Sequence, residues 1–232
     1  MFVRMIPSVI KKSSKEKWAK YIPPVKKILC TQYTIILFTQ AFIILFLSCG
    51  VYAQSTILNY KVTQGKDEIG WLKLQKNDSG ATTFITFDSE AKKRMVFMFS
   101  VIEKQAAIFK NGILMQSYVY RKVNTDVKVN KYTVNQGNYY LVNNKTSAEK
   151  VMINGIGYNM LSIYFKEPEN IKQVYSDNYE RLLDIENLGN HSYKVKLPGG
   201  DANYYYYTNG ACTKIKAEHT LFSVEFILQN NK

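Results

Sequence analysis

From Leu58 onward, apolar and polar residues alternate with a period of two, in short runs separated by turn residues. That spacing puts successive side chains on opposite faces of a strand and predicts an all-β domain. Leu58, Tyr60 and Val62 share one face of a first strand, and Gly65-Lys66-Asp67-Glu68 turns it back. Leu72 and Leu74 share a face of the second strand, which ends in the turn Asn77-Asp78-Ser79-Gly80. Thr82 to Phe87 makes a third strand and Met95 to Ile102 a fourth. The clearest local signal is Ala106 to Tyr120, where Asn111-Gly112 separates two apolar strands. Asn-Gly accepts the two positive φ values of a type I′ turn, whose twist matches a hairpin. A second hairpin runs from Val127 to Val134, turns at Asn135-Gln136-Gly137 and returns along Asn138 to Val142.

The period then changes. In Ile153 to Phe165, the residues Tyr158, Leu161 and Phe165, with Ile156 and Tyr164, recur every three or four positions. Asn159 is placed to cap this stretch and Pro168 to stop it, so it predicts a short amphipathic helix at Tyr158–Phe165. Strands resume at Val174-Tyr175, Arg181 to Ile185, Ser192 to Leu197, Asn203 to Tyr207, Cys212 to Lys216 and Leu221 to Leu228. The expected fold is mainly all-β: a curled antiparallel sheet or partial β-barrel, with one short helix packed on or in it.

Ahead of this domain the alternation is absent. No charged residue occurs from Ile28 to Tyr60, and Thr34 to Gln54 is nearly continuous apolar sequence. A basic stretch ending in Lys26-Lys27 precedes it, the layout of an export signal. Val51-Tyr52-Ala53 before Gln54 fits the small-residue requirement of a signal peptidase and is the favoured cleavage point. Acylation at Cys49 and retention of residues 34–53 as a membrane anchor are the alternatives. All three put residues 54–232 outside the cytoplasm. The expected organisation is therefore a leader over 1–53 and one exported domain over 54–232.

Charge changes meaning once the chain is divided there. The net charge is +13, of which residues 1–53 carry +7 and residues 54–232 carry +6. Half of the basicity belongs to targeting, which removes the case for nucleic acid as a partner. Of the three cysteines, Cys30 and Cys49 lie in the leader, so the domain has Cys212 alone and no internal disulfide. A buried, inert thiol is the plainer expectation for Cys212, and a reactive or dimer-forming one the sharper alternative.

Candidate chemistry is sparse. His191 and His219 are isolated, so no metal site and no cofactor is expected. Asp67-Glu68 and Glu167-x-Glu169 read as solvated turn charges, and Lys92-Lys93-Arg94 as a solvated strand end. Cys212 and His219 are close enough in sequence to meet but lack a third catalytic member. The domain is not expected to be an enzyme. Tyrosines are abundant, including the run Tyr204-Tyr205-Tyr206-Tyr207, which places two rings on each face of a strand. The aromatic supply suggests a concave face that binds an apolar or amphiphilic ligand, a lipid for instance, or an envelope protein partner. The residues singled out for it are Tyr158, Leu161, Tyr164, Phe165, Tyr204 and Tyr206. A structural protein with a filled core, or a hydrolase-type enzyme with dispersed residues, are the competing classes.

Four stretches together carry a resemblance: YKVTQGKDEIGWL (Tyr60–Leu72), AIFKNGIL (Ala107–Leu114), NMLSIYFKEPENIKQVYSDNYE (Asn159–Glu180) and LPGGDANYYYYTNGAC (Leu197–Cys212). They resemble a family of uncharacterised exported proteins of Bacteroidetes-type Gram-negative bacteria, itself similar to envelope proteins with a curled, incomplete β-barrel. The resemblance implies a periplasmic or outer-envelope location. It implies no catalytic residues.

Overall fold

Tyr60, Val62, Leu72 and Leu74 all turn to one side of their strands, and each is buried. The same alternation continues through the chain and bends one long sheet around its apolar face. The computed structural model describes residues 54–94, 98–143, 147–220 and 222–229. The expected leader over 1–53, with the cleavage point at Ala53 and the alternative at Cys49, lies outside these residues.

The strands are β1 (Gln54–Gln64), β2 (Asp67–Ser79), β3 (Thr82–Arg94), β4 (Met98–Lys110), β5 (Ile113–Val123), β6 (Asp126–Asn135) and β7 (Tyr140–Asn143). They continue as β8 (Ala148–Val151), β9 (Gln173–Ser176), β10 (Arg181–Gly189), β11 (Ser192–Lys196), β12 (Ala202–Thr208), β13 (Ala211–Glu218) and β14 (Ser223–Leu228). The described residues form one fourteen-stranded sheet in the order β8-β7-β6-β5-β4-β3-β2-β1-β14-β13-β12-β11-β10-β9. Two meanders are thus joined where β1 pairs antiparallel with β14, Val62 opposite Phe226. No ladder joins β8 to β9, so the barrel is curled but not closed.

Curling has local causes. Register shifts at Val62/Thr63, Ile108/Phe109, Arg121/Lys122 and Tyr206/Tyr207 put extra residues into single strands and increase their twist. At Gly70 the neighbouring strand passes so close that an added Cβ would lie 2.0 Å from the Glu90 carbonyl oxygen. Only glycine allows that approach, and it marks a sharp bend. The Asn111-Gly112 hairpin forms as expected, with φ of 51° and 75°. The predicted fourth strand and the first arm of that hairpin are one continuous strand, β4.

The expected helix at Tyr158–Phe165 shrinks to a single 3-10 turn at Ser162–Tyr164. Backbone groups that would have closed an α-helix are used elsewhere. Met160 N–H donates to the Tyr175 carbonyl and Tyr175 N–H to the Tyr158 carbonyl, both at 3.0 Å, pairing this segment with β9. Asn159 Oδ1 accepts from the backbone N–H groups of Leu161 and Ser162 at 3.2 and 3.1 Å, a tight local turn. On the far side, Leu114 N–H donates to the Ile156 carbonyl at 2.8 Å. The segment between β8 and β9 is therefore hydrogen-bonded to β5 on one side and to β9 on the other. Leu161 and Ile163 enter the barrel interior from it and are fully buried.

Candidate functional site

The inserted segment fills only one end of the barrel. Tyr207 O–H donates to the Ile163 carbonyl at 2.5 Å, and Tyr158 O–H to the Lys166 carbonyl at 2.5 Å. Tyr140 O–H donates to the Leu114 carbonyl at 3.0 Å and accepts from Ile156 N–H at 2.9 Å. These phenols fix the plug by their polar ends while their rings fill the core, the use to which buried tyrosine is best suited. Above the plug the interior is open. A cavity of about 650 Å³ reaches from Leu161 and Tyr164 up to Phe99, Asn124, His219 and Phe222 at the opposite rim.

One wall is apolar. Val62, Ile69, Phe87, Ile215, Val224 and Phe226 face it from β1, β2, β3, β13 and β14. Tyr164 projects from the 3-10 turn as the floor, with its ring edge-on to Tyr60, Phe87 and Tyr205 at 6.0, 6.0 and 6.2 Å. Burial pushes the Tyr164 phenol well above its ordinary pKa, so the floor is uncharged. The other wall is polar. Arg121 on β5 forks onto Glu103 on β4, with Nε to Oε2 and Nη2 to Oε1 both at 3.0 Å. Burial alone would weaken the guanidinium's hold on its proton; the carboxylate beside it reverses that and raises it.

Next to this pair the seam is latched by side chains. Asp177, in the β9–β10 turn, is 4% exposed. It accepts from Ser117 Oγ on β5 and from Asn159 Nδ2 at 3.2 Å. Burial pushes its carboxyl up to about 6, against the opposing pull of those two bonds. Lys131 on β6 pairs with Glu180 and donates to the Asn178 carbonyl at 3.1 Å. The turn that carries Asp177 thus closes laterally what the sheet leaves open.

Of the residues singled out from sequence, Leu161 and Tyr164 line the cavity. Tyr158 and Phe165 do not; both belong to the plug beneath it. Tyr204 and Tyr206 are corrected: they face outward, under Lys194 and Lys214 at 5.3 and 5.7 Å from the ring centres. Their neighbours Tyr205 and Tyr207 are the inward pair, because β12 meets Ile215 and Cys212 of β13 at those positions. Alternation alone does not say which pair points in. Glu167 is also corrected. It is not a solvated turn charge but a nearly buried side chain that accepts from Tyr193 O–H at 2.9 Å and meets His191 Nδ1 at 2.9 Å. Glu103, Arg121 and Asp177 were missed, since only the strand register brings them to the interior.

Cys212 and His219 do not meet. Cys212 is 1% exposed in the core, where burial pushes its thiol up to about 12. His219 sits at the rim, 2.7 Å from Asp201. Lys92 and Lys93 stand at the rim, paired with Glu90 and Asp67. Among the described residues, no three His, Cys, Asp or Glu side chains converge on a common point.

Residues 60–229 match the family model "Domain of unknown function (DUF6134)". Among solved structures, the chain is similar to a beta-barrel-like protein of domain of unknown function DUF1849 from Brucella abortus. That similarity has 11% identity and a TM-score of 0.48, and covers 78% of this chain and 98% of that one. No curated protein matches the sequence.

Proposed function

The chain belongs to the DUF6134 family of domains of unknown function, and we propose that it is an exported, non-enzymatic protein that holds one apolar or amphiphilic molecule in the open half of its barrel. The observation that carries this reading is the unfilled interior above Tyr164. A structural β-barrel packs its core to near-crystalline density, and voids larger than a water are few. Here a cavity of about 650 Å³ is left between well-packed strands. At about 30 Å³ for each water-sized group, it holds roughly 20 such groups, the size of a single short-chain amphiphile. Its lining is aromatic and aliphatic on one side and hydrogen-bonding on the other, which suits a molecule of the same character.

The extracytoplasmic location rests on the leader: a basic stretch followed by an uncharged apolar run ending at Ala53-Gln54.

Native mass spectrometry of the full chain, purified from its own envelope, tests the reading. The expected result is a co-purifying small apolar mass that organic extraction removes, after which the protein takes up Nile red. Ala217→Trp, placed on the cavity wall, is expected to abolish dye uptake while leaving the fold unchanged by circular dichroism. A clean apo mass together with a wild-type protein that ignores the dye would overturn the proposal.

A further inference from the structure

The charged pair on the polar wall narrows the class of ligand, an inference that rests on the binding reading above. Glu103 and Arg121 are direct partners in the β4–β5 ladder and share its inner face. Val123, at the rim, lies two residues beyond Arg121, so the pair sits about 7 Å below the mouth. Both Glu103 oxygens are filled by the protein. Oε2 takes Arg121 Nε, and Oε1 takes Arg121 Nη2 at 3.0 Å and Gln105 Nε2 at 2.6 Å. Arg121 is less committed: among the described residues its Nη1 makes no hydrogen bond, and its side chain is 33% exposed against 14% for Glu103. The pair therefore presents spare donors to the cavity but no net charge.

An ion pair in an apolar cup is unfavourable unless its remaining polar atoms find partners. A ligand oxygen that accepts from Arg121 would meet that need. A carboxylate or phosphate in the same place would give up its hydration without meeting a net opposite charge, because Glu103 already neutralises Arg121. The rim lysines do not offset this, since Lys92 and Lys93 already face Glu90 and Asp67. Below the pair Gln105 continues the polar wall, while Phe87, Leu161, Tyr164 and Ile215 give the cavity an apolar side and floor.

We propose that the cavity takes an uncharged acyl ester, of the monoacylglycerol type, whose carbonyl or hydroxyl oxygen accepts from Arg121 while the acyl chain lies down on Tyr164.

Competition titrations of the full chain with monolaurin and with laurate, which share one acyl chain, test this. At a pH where laurate is ionised, the wild type should bind monolaurin about tenfold more tightly or better, as expected when a carboxylate is desolvated beside a guanidinium that Glu103 has already neutralised. Glu103→Gln removes the neutralising charge and frees the guanidinium. Laurate should then gain about tenfold, with monolaurin changed much less. A second measurement needs no variant: as pH falls and laurate becomes neutral, the wild-type preference should disappear. Equal or tighter binding of ionised laurate by the wild type would overturn the assignment while leaving the binding reading intact. Binding of neither compound would overturn both.

Discussion

Asp177→Asn should remove a fall in the stability of the domain that otherwise occurs as pH rises from about 4 to about 6. The Asp177 carboxyl is pushed from its ordinary 3.8 up to about 6. An acid with a raised pKa binds its proton more tightly folded than unfolded. Folding therefore takes up a proton in that window, and stability falls as pH rises through it. Below about pH 4 both states are protonated and nothing is lost. Above about pH 6 the full penalty is present, about 3 kcal/mol at 1.36 kcal/mol for each unit separating the two pKa values. Solvent does not screen it, because the group is buried. Asn keeps both contacts: its oxygen accepts from Asn159 Nδ2, and its amide donates to Ser117 Oγ, whose hydroxyl turns to accept. Urea unfolding of both proteins at a series of pH values isolates the effect, because the difference between them cancels every other titrating group. At neutral pH the variant should unfold at a urea concentration higher by about 1–2 M, and the two curves should converge in acid. A variant less stable than wild type at every pH, or parallel pH profiles, would refute the reasoning.

Gly70→Ala should lower stability by about 3 kcal/mol, because the new Cβ meets backbone atoms of Glu90 and Ala91 that cannot swing aside; a thermal melt should show a loss of about 10 °C. Tyr140→Phe removes a hydroxyl that serves Leu114, Asn135 and Ile156 at once. It should cost about 3 kcal/mol in denaturant unfolding. Cys212, buried and with its thiol held up at about 12, should resist iodoacetamide in the native protein and react fully after unfolding, as read by peptide mapping.

What could be read from the sequence was what short-range chemistry decides. Asn111-Gly112 makes its hairpin because its two positive φ values are set locally. The strands Leu58–Val62 and Leu72–Leu74 followed from alternation, which fixes that two faces exist. It does not fix which face is inside, and Tyr204 and Tyr206 were assigned to the wrong side for that reason. The helix at Tyr158–Phe165 failed differently. Its apolar spacing is helical, but the N–H groups of Met160, Leu161 and Ser162 bond to Tyr175 and Asn159 instead. Tertiary and side-chain partners outbid the local preference. The polar wall was illegible for the same kind of reason. Glu103 and Arg121 lie 18 residues apart and become neighbours only through the β4–β5 register. Asp177 looks in sequence like any other turn acid until the seam closes over it.

The pairing of β1 with β14 sets the order in which the chain can finish folding. Tyr60 stands opposite Leu228, so strands from the beginning and the end of the domain must find each other across nearly its whole length. Each meander is built from neighbours in sequence and can form early; their junction carries a large loop-closure entropy and forms late. Until then β1 exposes the Tyr60–Thr63 edge that β14 later covers to any other chain that offers a strand. A chain cut short before Ser223 would keep nearly all of its turns and most of its core residues, yet would be left with that edge open. Such a truncation should aggregate rather than unfold cleanly, so solubility depends on β14 reaching β1.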